Sequence, residues 1–113
     1  MMRKVIFSNE FSTYYDRLST KIQDKYAYAI QVIKTQKVVS EKFVKKIRNT
    51  EFYEVRVSVG TDEYRTMLIA TDNINFMEAT IVILLNSFIK KDNKQYKREI
   101  DKAISIIEKE GLI

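Results

Sequence analysis

Residues 52–70 read FYEVRVSVGTDEYRTMLIA, and the reading of this stretch decides the fold. Tyr53, Val55, Val57 and Val59 alternate with Glu54, Arg56 and Ser58, the period of two that sends successive side chains to opposite faces of a β-strand. Gly60 and Thr61 then supply a two-residue turn of the kind that takes glycine at its first central position, and Tyr64 to Ala70 returns as the partner strand. A β-hairpin follows. With that loop length, Arg56 stands directly opposite Arg65 on one face. Like charges facing each other destabilise a ladder by up to about 1 kcal/mol, so the pair asks for an anion between the guanidinium groups or for carboxylates beside them. Glu54 and Glu63 fall on the same face and can form an ordinary solvated ion-pair lattice.

Upstream of the hairpin the apolar period is helical. Arg3 to Phe7 reads as an opening strand, after which Phe11, Tyr14, Tyr15, Leu18 and Ile22 recur at helical spacing, with Ser8 or Asn9 as N-cap. A second helix carries Tyr26, Ile30 and Ile33. A short third helix is expected around Ser40, with Phe43, Val44 and Ile47 inward and Lys42, Lys45, Lys46 and Arg48 exposed. Downstream, Asp72 to Glu78 reads as a turn, and Ala79 to Ile89 is the nearly continuous apolar run of a strand buried on both faces. From about Lys94 to Glu110 a closing helix presents Ile100, Ala103, Ile104 and Ile107 before Gly111 stops it. The expected fold is therefore α+β: a twisted antiparallel sheet of the N-terminal strand and three C-terminal strands, packed by the N-terminal helices and a C-terminal helix. The helices are expected on one face, the other staying partly open.

The 113 residues suit one domain, 1–113, with 45% hydrophobic residues, seven tyrosines and six phenylalanines to fill one core. Cysteine and histidine are absent, which removes disulfides, zinc fingers, thiol nucleophiles and imidazole catalysis. Two glycines leave no glycine-rich phosphate loop, and no proline-rich linker exists. The scatter of Asp and Glu offers no metal cage, so no metal and no cofactor are expected. No segment approaches about 18 apolar residues and Met1 to Phe7 lacks a signal-peptide core, so a cytoplasmic protein without membrane contact is expected. The net charge of +5 attracts polyanions, among them RNA, DNA, ribosomes and acidic proteins. Lys90, Lys91, Lys94, Lys97 and Arg98 gather where the apolar strand runs out, interleaved with Phe88 and Tyr96, and Tyr64 adds a third ring that could stack on a base.

Four pieces occur in order: Tyr53-Glu54-Val55-Arg56-Val57, Tyr64-Arg65-Thr66-Met67, Leu84-Leu85-Asn86-Ser87-Phe88-Ile89-Lys90-Lys91, and Glu99-Ile100-Asp101-Lys102-Ala103. Together they resemble the phage-derived HigB branch of the RelE/ParE toxin superfamily, best from Phe52 to Ile107. Two departures stand out. The family often has His-Gly where this chain has Asn86-Ser87, and proline where Tyr96 stands.

The resemblance implies a RelE-like fold and a type II toxin, held inactive by a cognate antitoxin, that cuts messenger RNA on the ribosome. Operator DNA would be met only through the antitoxin complex. Substrate binding or catalysis would fall on Arg56, Arg65, Lys90 and Lys91. The chemistry that fits needs no metal: the 2′-hydroxyl attacks the adjacent phosphate while the protein orients the strand and stabilises added negative charge. Arg56 and Arg65 would grip the scissile phosphate bidentately, Lys90 or Lys91 would protonate the leaving 5′-oxygen, and Glu54 or Tyr64 would accept the 2′-hydroxyl proton. Lys45, Lys46, Arg48, Tyr64, Lys94, Tyr96, Lys97 and Arg98 would line the RNA path. The alternatives are a ParE-like inhibitor of DNA gyrase and an inactive binding protein of the same fold.

Overall fold

A computed structural model describes residues 2–72 and 75–113. Its elements run β1 (Lys4–Phe7), α1 (Asn9–Asp16), α2 (Thr20–Thr35), β2 (Val44–Lys46), β3 (Phe52–Val59), β4 (Asp62–Ala70), β5 (Ile81–Ile89) and α3 (Gln95–Glu110). The expected α+β class is what forms. The hairpin of β3 and β4 has the register read from the sequence, with Val59 opposite Asp62 and Arg56 opposite Arg65. Gly60 sits at φ 62°, where a side chain would strain the backbone, so glycine at that corner is a conformational requirement. The other corner of the core, the expected turn from Asp72 to Glu78, includes Asn73 and Ile74, which lie outside the described residues.

The sheet has five strands in the order β1-β5-β4-β3-β2 and is mixed. Three features differ from the sequence expectation. First, β1 pairs parallel with β5, Lys4 opposite Ile81 and Phe7 opposite Leu84, so the sheet is antiparallel only over its remaining pairs. Second, the segment after Ser40 is no helix. Ser40 closes a turn by accepting from the Phe43 and Val44 amides, and Val44 to Lys46 then pairs antiparallel with β3. A helix of so few residues is costly to nucleate, whereas the free edge of β3 offers ready hydrogen-bond partners.

Third, the helices divide between the two faces. Phe11 of α1 and Tyr26 and Ile33 of α2 pack with Val55, Leu68 and Leu84 on one side. Ala103 and Ile106 of α3 pack with Phe52, Met67, Ile83 and Leu85 on the other. The physical reason lies in β5, whose unbroken apolar run gives both faces something to bury, and each face demands its own cover. No described helix is long and apolar enough to cross a membrane.

Two polar devices fix the frame. Ser8 caps α1 by accepting from the Phe11 amide at 3.0 Å and itself donates to the Leu85 carbonyl at 2.9 Å, tying the helix start to the sheet. Arg3 is buried without a carboxylate and donates instead to the carbonyls of Ile33, Gln36, Lys37, Phe76 and Met77, with its guanidinium 4.4 Å from the centre of the Phe76 ring. It thereby satisfies carbonyls at the end of α2 that the helix itself leaves orphaned.

Candidate basic groove

The α3-facing side of the hairpin carries Glu54 and Arg56 on β3 and Arg65 on β4, beyond the reach of the apolar part of α3. Glu54 is the hub of this group. Its carboxylate is 5% exposed, accepts from Arg56 Nε at 2.9 Å and lies 3.6 Å from Arg65 Nε. Tyr96, at the start of α3, donates its hydroxyl to the other carboxylate oxygen at 2.5 Å. The two facing arginines are thus held together by a shared carboxylate, and a second one, Glu63, lies 3.4 Å from Arg65 Nη1. Ion pairs do join these four residues, but Glu54 and Arg65 are buried, so the group is not the solvated lattice expected from the alternation.

Exposure separates the two guanidinium groups. Arg65 is 6% exposed and its Nε is buried with no hydrogen-bond partner, whereas Arg56 is 27% exposed and borders open solvent. Arg56 is the accessible fork.

A groove of about 220 Å³ opens beside this group, lined by Lys45, Lys46, Ile47, Arg48, Glu54, Arg56, Lys90, Asn93 and Tyr96. Five cations and one carboxylate line it. The register explains how they meet: β2 pairs Lys45 with Glu54, so the segment expected to be helical delivers its lysines to the edge of the site as part of the sheet. From the other side, β5 ends at Ile89 and leaves Lys90 with its Nζ 5.7 Å from the centre of the Tyr96 ring. Phe88 meets the same ring edge to face at 5.5 Å, which fixes where the tyrosine points.

Burial, then the hydrogen bond to Glu54, pushes the Tyr96 hydroxyl up to about 12. The hydrogen bond from Ser58, and after it the charges of Arg65 and Arg56, hold the Glu63 carboxyl below its usual range.

A β-bulge shapes the floor. The pairing of β4 with β5 shifts between Thr66 and Leu68, so Leu85 and Asn86 both turn toward α3. Buried Asn86 donates from Nδ2 to the main-chain and side-chain oxygens of Glu99, each at 3.0 Å, and pins the first turns of α3 to the sheet. Where the resembled family often has histidine and glycine, this chain therefore has a structural amide and a serine, Ser87, hydrogen-bonded to Thr66 on the opposite face.

The remaining residues singled out from sequence lie apart. Tyr64 is buried against Tyr26 on the α1/α2 side, on the other face from Arg65, and has no access to the groove. Lys91, Lys94 and Arg98 border a separate hollow with Asp92 and Gln95, and Lys97 is exposed on α3. Asn93 and the hydrogen bond from Tyr96 to Glu54 are not legible from sequence, since nothing local joins residues 42 positions apart. Among the described residues, no group of three or more Asp, Glu, His or Cys is placed to hold a metal.

Comparison with known proteins bears on the family and the fold. A family model described as phage-derived protein, Gp49-like, matches residues 13–108. The fold is similar to that of the E. coli toxin RelE, solved in the free state as a mutant with two arginines changed to alanine, at a TM-score of 0.64 and 12% identity over 95% of this chain and 99% of that one. At that identity the likeness is one of fold. No curated protein matches the sequence.

Proposed function

The chain belongs to the Gp49-like family of phage-derived proteins, and from that premise we propose that it is the toxin of a toxin–antitoxin pair, an endoribonuclease that cuts messenger RNA on the ribosome. The observation that carries the reading is the groove itself, in which four cations surround one buried carboxylate and a partly exposed arginine fork. That is a site for a polyanion with a proton acceptor inside it. The HigB-like motifs and the RelE fold support the toxin role, and a basic groove open to solvent suits an antitoxin that covers it with acidic residues.

In this mechanism the substrate supplies its own nucleophile. The 2′-hydroxyl loses its proton as its oxygen attacks phosphorus; the bond to the 5′-oxygen breaks, and that oxygen takes up a proton. The products are a 2′,3′-cyclic phosphate and a free 5′-hydroxyl. Arg56 binds the phosphate with the guanidinium N–H groups that Glu54 and the Glu41 carbonyl leave over, while Lys45 and Lys90 neutralise the charge that builds on the equatorial oxygens. Glu54 accepts the 2′-hydroxyl proton and Lys90 donates to the leaving oxygen. Tyr96, neutral over the working range, donates to Glu54 and walls the groove. Arg65 holds Glu54 from beneath and does not touch the strand.

The test is brief induced expression in bacteria, wild type against Arg56→Ala, with new messenger 5′ ends mapped. Growth arrest with cuts inside translated frames, both lost in the variant, is expected. Arrest with intact messengers would refute the ribonuclease reading in favour of an inhibitor acting by binding alone. Arg56 is the right residue to change because its guanidinium is partly exposed, so its loss tests chemistry with less risk to folding than loss of Arg65.

A further inference from the structure

Arg56 borders two hollows. Besides the groove, it lines a second one of about 170 Å³ together with Lys25, Tyr28, Lys42, Phe43 and Ser58. The two are joined through the guanidinium, which is held by Glu54 at Nε inside the groove and by the Glu41 carbonyl at Nη1, 3.4 Å away in the turn that carries Lys42 and Phe43. β2 pairs with β3 from Tyr53 to Val55, and the Arg56 amide donates to the Phe43 carbonyl at 2.8 Å, so Arg56 stands where the ladder gives way to that turn.

The second hollow is unusual in what lines it. Tyr28 is 64% exposed, a large ring displayed on the solvent side of α2, and it leans on Phe43 with the ring centres 5.8 Å apart. Phe43 in turn packs against the core, so the pair forms a supported platform with one wet face. The Lys42 Nζ stands 5.9 Å from the centre of the Phe43 ring. Three cations and no carboxylate belong to the lining. An exposed ring backed by a half-buried one, with two lysines and an arginine beside them, fits a ligand that alternates flat, stackable groups with anions, which is the chemistry of a single-stranded nucleic acid.

We infer that Tyr28 and Phe43 form a base-stacking subsite for a nucleotide one step beyond the two that share the scissile phosphate, with Lys25 and Lys42 on its backbone and Arg56 as the hinge between subsite and groove. This rests on the ribonuclease reading and deepens it: the enzyme grips the strand on both sides of the β2–β3 edge, so the length of the RNA it engages is set by α2 as well as by the groove. Cations alone would equally suit an acidic protein; the supported ring pair among them is what favours a strand of bases.

The experiment uses the purified full chain and fluorescently labelled 2′-O-methyl RNA of two, four and eight nucleotides, which lacks the attacking hydroxyl and is not cut. Binding is read by anisotropy at low salt, where backbone contacts are strongest. Stacking of one base is worth about 1 to 3 kcal/mol, so Tyr28→Ala should weaken binding of the tetramer and octamer by about 5-fold to 150-fold. It should leave the dimer unchanged, and Tyr28→Phe should restore the loss. Because Tyr28 is largely exposed, the melting temperature of the alanine variant should match the wild type.

Equal affinity of wild type and Tyr28→Ala for every length, with Arg56→Ala still weakened, would overturn the subsite, assign the rings to a protein-facing surface and spare the groove. If no length binds to any variant, the nucleic-acid reading fails and the subsite fails with it.

Discussion

Replacing Glu54 by glutamine keeps the shape of the side chain and removes the charge that two arginines share, and its cost can be worked out from their exposures. Arg65 is nearly fully buried, and Glu54 and Glu63 are the carboxylates within 4 Å of it. Removing one partner from a buried pair costs about 3 to 5 kcal/mol. Here Glu63, 43% exposed, remains on the other side of the guanidinium, so about 2 to 3 kcal/mol is expected for Glu54→Gln. Arg65→Met leaves Glu54 its bonds from Arg56 and Tyr96, and its cost should be smaller, about 1 to 2 kcal/mol.

The double variant carries neither the buried charge nor its counter-charge. It should cost about 2 kcal/mol, where simple addition would give about 4, because a neutral pair restores what each single change leaves uncompensated. Urea unfolding followed by circular dichroism at pH 7 measures all three. Additivity to within about 0.5 kcal/mol would show that the two residues do not sense each other and would sink the account of Glu54 as the hub of the site.

Other consequences are open to measurement. Arg3→Met should lower stability by about 3 to 5 kcal/mol, since it strips carbonyls at the end of α2 and at Phe76 and Met77 of their donor, and hydrogen exchange should rise first at the end of α2; unchanged urea midpoints would contradict this. Tyr96 is held protonated up to about 12 while an unfolded tyrosine ionises near 10, so the unfolded chain releases this proton first and stability should fall as pH rises between those values. Tyr26, buried and pushed up by desolvation, acts in the same direction, and melting temperatures should fall less steeply above pH 10 in Tyr96→Phe than in wild type; parallel curves would be the contrary result. Each phosphate neutralised on a single strand contributes about 0.7 to the slope of log affinity against log salt, so Lys45→Ala should flatten that slope by about 0.7; an unaltered slope would remove Lys45 from the RNA path.

The hairpin is legible in the sequence because everything that shapes it is local. A period of two fixes which residues share a face, and a two-residue turn with glycine at φ 62° fixes the register, so the confrontation of Arg56 and Arg65 follows from residues 52–70 alone. The same period, applied strictly, separates Tyr64 from Arg65, since neighbours in a strand point to opposite faces. The absence of histidine and cysteine likewise confines any chemistry to other side chains, however the chain folds.

What the tertiary structure alone decided concerns partners distant in the chain. Val44 to Lys46 becomes a strand because the outer edge of β3 is there to pair with it, and only that pairing sets Lys45 against Glu54. The helix α3 crosses to the second face because β5 is apolar on both sides, which brings Tyr96 onto Glu54. The division of labour between the two arginines follows from the same packing. Their sequence settings are nearly alike, Glu54 two residues before one and Glu63 two before the other, but Arg65 lies on an interior strand and is buried, while Arg56 lies where β2 ends and reaches water. Local sequence sets periodicity and turn geometry; burial depends on which strands and helices arrive from elsewhere to cover a position, and that is what buried one arginine and left the other open to solvent.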